Sequence, residues 1–373
     1  MKRTDFSVDW LFAACAPDTE LLPWNAQFTP VDLPHDWQIR HADDLYRDGT
    51  LFYRKYFFVT DVPGTRRMLW FGGAYMDTTV FVNGTEVGQW KYGYTSFWFD
   101  ITDALHEGQN EVLVRCNLRH PNSRWYSGAG LYRNVELWEA PDLHLMPDGL
   151  YVAAKEGDNG AWTVAVTAEV GSVTAASTGR TLTLHLTDDN GSLLGTAAIP
   201  ADAWAALPSP DGWRTGKETA IYKASHVFTL QDPALWDLDA PNFYHITAEL
   251  TGADGVTDTL TTRFGCRTIE ATPDCGLLVN HKRVLIKGVC IHHDFSCLGS
   301  AFEYSAAKRQ LEILKSMGVN SIRTGHTPPA PQFMDLADEM GILMDVESFD
   351  CWRSGKNPYD YGRFFDEWQE KDV

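Results

Sequence analysis

The sequence predicts a multidomain, mainly β chain: a first β-sandwich, a second and smaller β-sandwich, and a terminal run of parallel β/α units. Three observations predict it. Apolar and polar residues alternate with period two as far as Cys266, broken at short intervals by Gly, Asn, Asp and Pro, the pattern of antiparallel sheets. Beyond it the apolar spacing lengthens to i, i+3, i+4 and i+7, which places helices between short apolar strands and so implies parallel pairing. The length of 373 residues suits two or three domains at roughly 150 residues each.

Taken in order, Trp10 to Ala16 reads as the first strand of a domain; it is too short and too acidic at its flank, with Asp5 and Asp9, for a signal peptide. Thr79-Val80-Phe81-Val82 runs into Asn83-Gly84, a hairpin signal because both turn residues tolerate positive φ. Val112, Val114 and Cys116 share one face of another strand, with Leu113 and Arg115 on the other. Ala140-Pro141 marks a boundary. After it Trp162, Val164 and Val166 alternate with polar or small residues, as do Leu182, Leu184 and Leu186, then a turn at Asn190-Gly191, then Tyr244, Ile246, Ala248 and Leu250. This second sandwich has the size of an immunoglobulin-like domain and ends near Cys266, giving domains 1–140, 141–266 and 267–373.

The third region opens with a loop-like stretch, Arg267 to Gly276, and a short hairpin, Leu277 to Lys287. Ser305 is placed to cap a helix with Ala307, Leu311, Leu314 and Met317 on one stripe, closed by Gly318. A strand from Val319 to Thr324 follows. A second helix carries Phe333, Leu336, Ala337 and Met340, stops at Gly341, and leads into the strand Ile342 to Val346; Phe364 to Gln369 starts a third helix. This is too little chain for a closed eight-stranded barrel, which takes about 250 residues. An open three-stranded parallel sheet leaves an edge and a face uncovered. The expectation is therefore part of a larger barrel rather than an atypical third domain.

A net charge of −19, from 31 basic and 50 acidic residues, disfavours nucleic acid and anionic membrane as partners. No stretch approaches the roughly 20 apolar residues that cross a bilayer. Seven cysteines without a C-x-x-C pair favour reduced thiols and a cytoplasmic location, with Cys15, Cys116 and Cys351 as buried structural thiols.

Chemistry gathers after three successive strands of the last region. His292, His293 and Asp294 follow the strand ending at Val289; Arg323 and His326 lie at the end of the next; Glu347, Asp350 and Trp352 follow Val346. In a (β/α)8 barrel such ends form one rim, where active sites are built. Structural alternatives stand beside this: a loop histidine without a ligand, Arg323 paired with Asp345 or Glu347, Trp352 in a core. A metal at His292-His293-Asp294 is the weaker reading, since no HExxH or further histidine at ligand spacing supports it. A nucleotide-binding fold is excluded by the lack of a Gly-rich phosphate loop.

The stretch NSIRTGHTPPAPQFMDLADEMGILMDVE, Asn320 to Glu347, resembles the signature of family 2 glycoside hydrolases, the β-galactosidase and β-glucuronidase group, with departures at Gly325 and Thr327. LIKGVCIHHDFSCLG and ESFDCWRSGKNPYDYGRFF are similar to that family's first and third barrel loops. In the first domain LPHDW, VNGTEVGQWKYGYTSFWFDIT and RWYSGAGLYRNVELW are similar to its sugar-binding jelly roll. The resemblance implies an N-terminal jelly-roll β-sandwich, an immunoglobulin-like β-sandwich, then an incomplete (β/α)8 TIM barrel comprising its first three β/α units.

It further implies a retaining β-glycosidase, most simply one acting on terminal β-galactosides, with β-glucuronides and β-mannosides as alternatives. Such enzymes use two carboxyl groups about 5 to 5.5 Å apart. In the family both follow later strands, so neither has a position before Val373, and Glu347, Asp350 and Glu367 do not substitute. The chain alone is expected to be silent. By resemblance Arg323 and His326 support catalysis, while His292, His293, Asp294, Asp350 and Trp352 bind substrate. No cofactor is required, although some relatives use magnesium; the partner is a carbohydrate, with a homo-oligomer open. The loop at Asp43 and Asp44 reads either as reaching the rim or as solvated. A non-catalytic carbohydrate-binding or scaffold protein is the reading from another class.

Overall fold

A computed structural model describes residues 1–41, 43–60, 64–173, 179–207, 220–252 and 255–372. In the first sandwich the alternation becomes burial: Leu51 and Tyr53, and opposite them Val112, Val114 and Cys116, are fully buried, whereas Leu113 and Arg115 keep partial exposure. The larger sheet has six antiparallel strands in the order Thr29–Val31, Trp10–Cys15, Gly49–Val59, Gly108–Leu118, Thr78–Val82, Thr85–Trp90. Four more, Lys2–Asp5, Val135–Pro141, Thr65–Phe71 and Phe97–Asp100, cover it across an aromatic core that includes Trp10, Tyr53, Phe71 and Phe97. The hairpin forms as read: Val82 pairs with Thr85, and Asn83 and Gly84 have φ of 49° and 79°. Trp10–Cys15 is not the opening strand. The exposed edge strand Lys2–Asp5 precedes it, and its sequence Lys-Arg-Thr-Asp has no apolar alternation to read.

The second sandwich sets Leu143–Glu156, Ala161–Ser172, Ala220–Gln231 and Ala205–Ala206 against Leu193–Pro200, Thr181–Asp188, Tyr244–Gly252 and Gly255–Phe264. Trp162, Val164, Val166, Leu182, Leu184, Leu186, Ile246, Ala248 and Leu250 meet in its core. At the Asn190-Gly191 turn the Asp188 carboxylate accepts the backbone N–H groups of Asn190 and Ser192 at 3.0 and 2.7 Å.

In the third region Gly288–Ile291, Ser321–Thr324 and Leu343–Val346 pair in parallel and in that order. Helices Tyr304–Ser316 and Pro331–Glu339 bury Ala307, Leu311, Phe333, Leu336 and Ala337 with Ile322. Four details differ from expectation. The stretch read as loop contains strand Ile269–Thr272, paired with Gly276–Val279; its side chains are mostly exposed, so it lacks a buried face to read. Ser305 lies inside the first helix, which starts at Tyr304 after Glu303 and has no side-chain cap. Met317 is 74% exposed because it sits at the helix C-cap, past the turn that meets the core. The first strand runs on to Ile291 rather than ending at Val289.

The third region does not stand apart from the first sandwich. Phe349, Tyr361 and Phe365, from the last loop and helix Phe365–Asp372, join the first aromatic core, and Trp368 meets Trp90 edge-on at 6.0 Å. Asp36, from LPHDW, is buried between the two. Its Oδ2 accepts from Tyr126 OH at 2.6 Å, Ser300 N at 2.8 Å and Ser300 Oγ at 3.0 Å; its Oδ1 accepts from the N–H groups of Gln38 and Ala129 at 2.9 and 3.0 Å. Gly128 is required at this junction: φ is 65°, and a Cβ there would meet Ser300 Oγ at 1.9 Å. LPHDW and RWYSGAG thus build the joint that carries the barrel strands.

Candidate active site

Parallel register places Arg323 between Cys290 and Asp345 across the three strands, so its side chain leaves the same face as theirs. The guanidinium does not pair with Asp345 directly opposite; it reaches past the strand end to Glu347 and, on the other side, donates to Cys290 Sγ at 3.4 Å. These two hydrogen bonds raise the Arg323 pKa and keep it firmly cationic. His326 Nδ1 lies 3.1 Å from Arg323 Nη2 and 2.9 Å from Glu347 Oε2. A guanidinium only donates and a carboxylate only accepts, so Nδ1 bonds to one of them in a given protonation state. Either way Nδ1 is occupied, and Nε2 is the histidine atom left for a ligand.

His292 comes from the end of the first strand. Its ring is parallel to the Trp125 indole, 8° between planes and 5.5 Å between centroids. Trp125 also lies 5.2 Å from His326, and the two imidazoles are 5.7 Å apart. His292, Arg323 and His326 therefore share one mouth, and the first sandwich walls it. Trp125 lies within the RWYSGAG motif, but its partners are distant in sequence, so no spacing marks it as a site residue.

Three family models match in chain order: glycosyl hydrolases family 2, sugar binding domain, over residues 23–141; glycosyl hydrolases family 2 over 148–267; and glycosyl hydrolases family 2, TIM barrel domain, over 271–362. The chain belongs to glycosyl hydrolases family 2. It is 35% identical to the beta-galactosidase BoGH2A of Bacteroides ovatus over 391 residues, taking in 100% of this chain and 44% of that protein. It is 27% identical to a beta-glucuronidase of Bacteroides fragilis, covering 87% of this chain and 48% of that protein. Among solved structures, a glycosyl hydrolase family 2 member from Bacteroides cellulosilyticus superposes with a TM-score of 0.87 at 29% identity, over 100% of this chain and 49% of that one. The chain thus spans about half the length of the relatives it matches.

Within this family 2 chain His293, Asp294 and the Asp43-Asp44 loop do not join the mouth cluster. His293, next to His292, turns the other way into the joint. Its Nε2 donates to Ser127 O at 2.9 Å, and Tyr94 and Tyr132 meet it edge-on at 5.1 and 5.6 Å. Desolvation lowers its pKa to about 4, and nearby Arg133 pushes the same way. Asp294 is partly buried; burial raises the Tyr126 phenol, and Asp36 and then Asp294 add to the rise. Among the described residues no group of three His, Cys, Asp or Glu could hold a metal ion.

Asp350 is bound by Arg124 Nη2 at 2.5 Å and Lys356 Nζ at 2.8 Å. Burial works to raise its pKa, but these hydrogen bonds outweigh it and hold the carboxyl below the usual range. Trp352 is 63% exposed, propped on Phe349 and Phe365 with ring centroids 6.2 and 5.5 Å away. Asp43 and Asp44 are exposed, and Asp44 pairs only loosely with Arg47 at 3.9 Å. Cys116 and Cys351 are buried as expected, and burial raises both thiols to about 12; Cys15 is half-buried instead.

The His293 shift gives a pH expectation. The folded pKa near 4 lies below the unfolded value of 6.5, so the unfolded chain binds more protons between them. Stability is full above pH 6.5 and falls as pH drops through that window, by about 3 kcal/mol for this group. Urea unfolding at pH 7 and pH 4.5 measures it; His293→Gln is expected to flatten that difference.

Proposed function

We propose that this chain forms the sugar-recognising half of a retaining β-glycosidase that hydrolyses terminal β-galactosides. The convergence of His292, Arg323 and His326 on one mouth beside Trp125 carries the reading. Imidazole Nε2 of His326 and the ring nitrogens of His292 hydrogen-bond sugar hydroxyls. Arg323 places a fixed cation where an ionised nucleophile needs one. Trp352 offers an open indole face for the apolar side of the ring, and Asp350 a polar edge.

Retaining chemistry needs one carboxyl as acid/base and a second as nucleophile, about 5 to 5.5 Å apart. The carboxyls near this mouth are already engaged: Glu347 by Arg323 and His326, Asp350 by Arg124 and Lys356. Since residues 1–373 span about half the length of the family 2 relatives, we assign both catalytic carboxyls to the half they do not span. Among the alternative substrates we take galactoside over glucuronide and mannoside. The 35% identity to a beta-galactosidase supports the same choice. Residues 1–373 assayed with chromogenic β-galactoside and β-glucuronide are expected to give no turnover; turnover of either would mean that Glu347 or Asp350 is catalytic.

A further inference from the structure

We propose that Trp125, supplied by the first sandwich, is the positioning residue for both imidazoles of the mouth. The geometric part stands alone; its consequence for turnover rests on the glycosidase reading. His292 is exposed and, among the described residues, makes no hydrogen bond. Its ring contacts are Trp125, parallel at 5.5 Å, and His326 at 5.7 Å. An exposed imidazole without a hydrogen bond hops among rotamers. The indole face selects one. His326 is tied at Nδ1 to Glu347 or Arg323, yet a ring held by one atom still pivots about that bond, and Trp125 at 5.2 Å closes the pivot.

Trp125 is itself well held. Its carbonyl accepts from Ser123 Oγ at 2.7 Å, and Tyr94 lies 6.4 Å from its ring. The preceding Arg124 is anchored on Asp350, and the following Tyr126 on Asp36. The indole Nε1 is buried without a partner, so no hydrogen bond of its own sets the ring; shape and stacking do. The first domain is thereby part of the sugar site: it sets the angle at which two barrel histidines meet a hydroxyl. Such angles matter most where hydrogen bonds tighten, so losing them lowers kcat more than it raises KM.

Two variants test this, Trp125→Leu and Trp125→Phe. In imidazole NMR spectra of residues 1–373, Trp125→Leu is expected to shift the ring signals of both His292 and His326 while those of His293, packed on Tyr94 and Tyr132, stay in place. A response from only one of the pair, or from neither, overturns the proposal. In the complete enzyme Trp125→Leu is expected to lower kcat about 10- to 100-fold with little change in KM, and Trp125→Phe to recover most of it. Equal impairment by both variants, or a change confined to KM, also overturns it. If the NMR response is present but the complete protein cleaves no β-glycoside, the glycosidase reading falls and the positioning geometry stands.

Discussion

Replacing Asp36 with Ala is expected to remove about 3 kcal/mol of stability, through buried donors left unsatisfied, and to loosen the barrel strands from the first sandwich. The carboxylate is 2% exposed and accepts five hydrogen bonds, from Tyr126, Ser300 twice, Gln38 and Ala129. Deletion leaves those donors buried and unmatched, a larger loss than the net worth of the bonds. Asp36→Asn is expected to fall between, because one oxygen becomes an N–H group facing donors. Urea unfolding followed by tryptophan fluorescence measures both. Splitting of one transition into two would show the joint giving way before either core. A loss below about 1 kcal/mol would mean that Ser300 and Tyr126 find other partners.

Arg323→Ala in the complete enzyme is expected to lower kcat by about 100- to 1000-fold, the range for removing a preorganised electrostatic partner of the reacting charge. Stability is expected to fall by less than about 1 kcal/mol. The asymmetry follows from exposure: the Arg323 and Glu347 side chains keep 34% and 30% of their surface, so their ion pair is screened by solvent. Its value lies in a fixed cation at the mouth. Parallel loss of stability and turnover would identify a structural ion pair instead.

Much of this was readable in the residues. Alternation identified the inner faces of both sandwiches, since Val112, Val114, Cys116, Leu182, Leu184 and Leu186 are all buried. The helical stripe Phe333, Leu336, Ala337 marked a helix packed on parallel strands. Spacing placed Arg323 and His326 together because both lie at one strand end, and local geometry settles local contacts. What escaped is non-local. Trp125 joins the site through a loop of another domain, which no periodicity reveals. His292 and His293 are identical neighbours, and which of them faces the mouth depends on Tyr94, Tyr132 and Ser127 forming a pocket for the other. The strand Ile269–Thr272 was unreadable for a plainer reason, having almost no buried face.

Mechanism-based labelling locates the nucleophile directly. A 2-deoxy-2-fluoro-β-galactoside with a good leaving group, given to the complete enzyme, should leave one fluorogalactosyl ester on a glutamate outside residues 1–373, and Arg323→Ala should slow its formation. An ester on Glu347 or Asp350 would contradict the account.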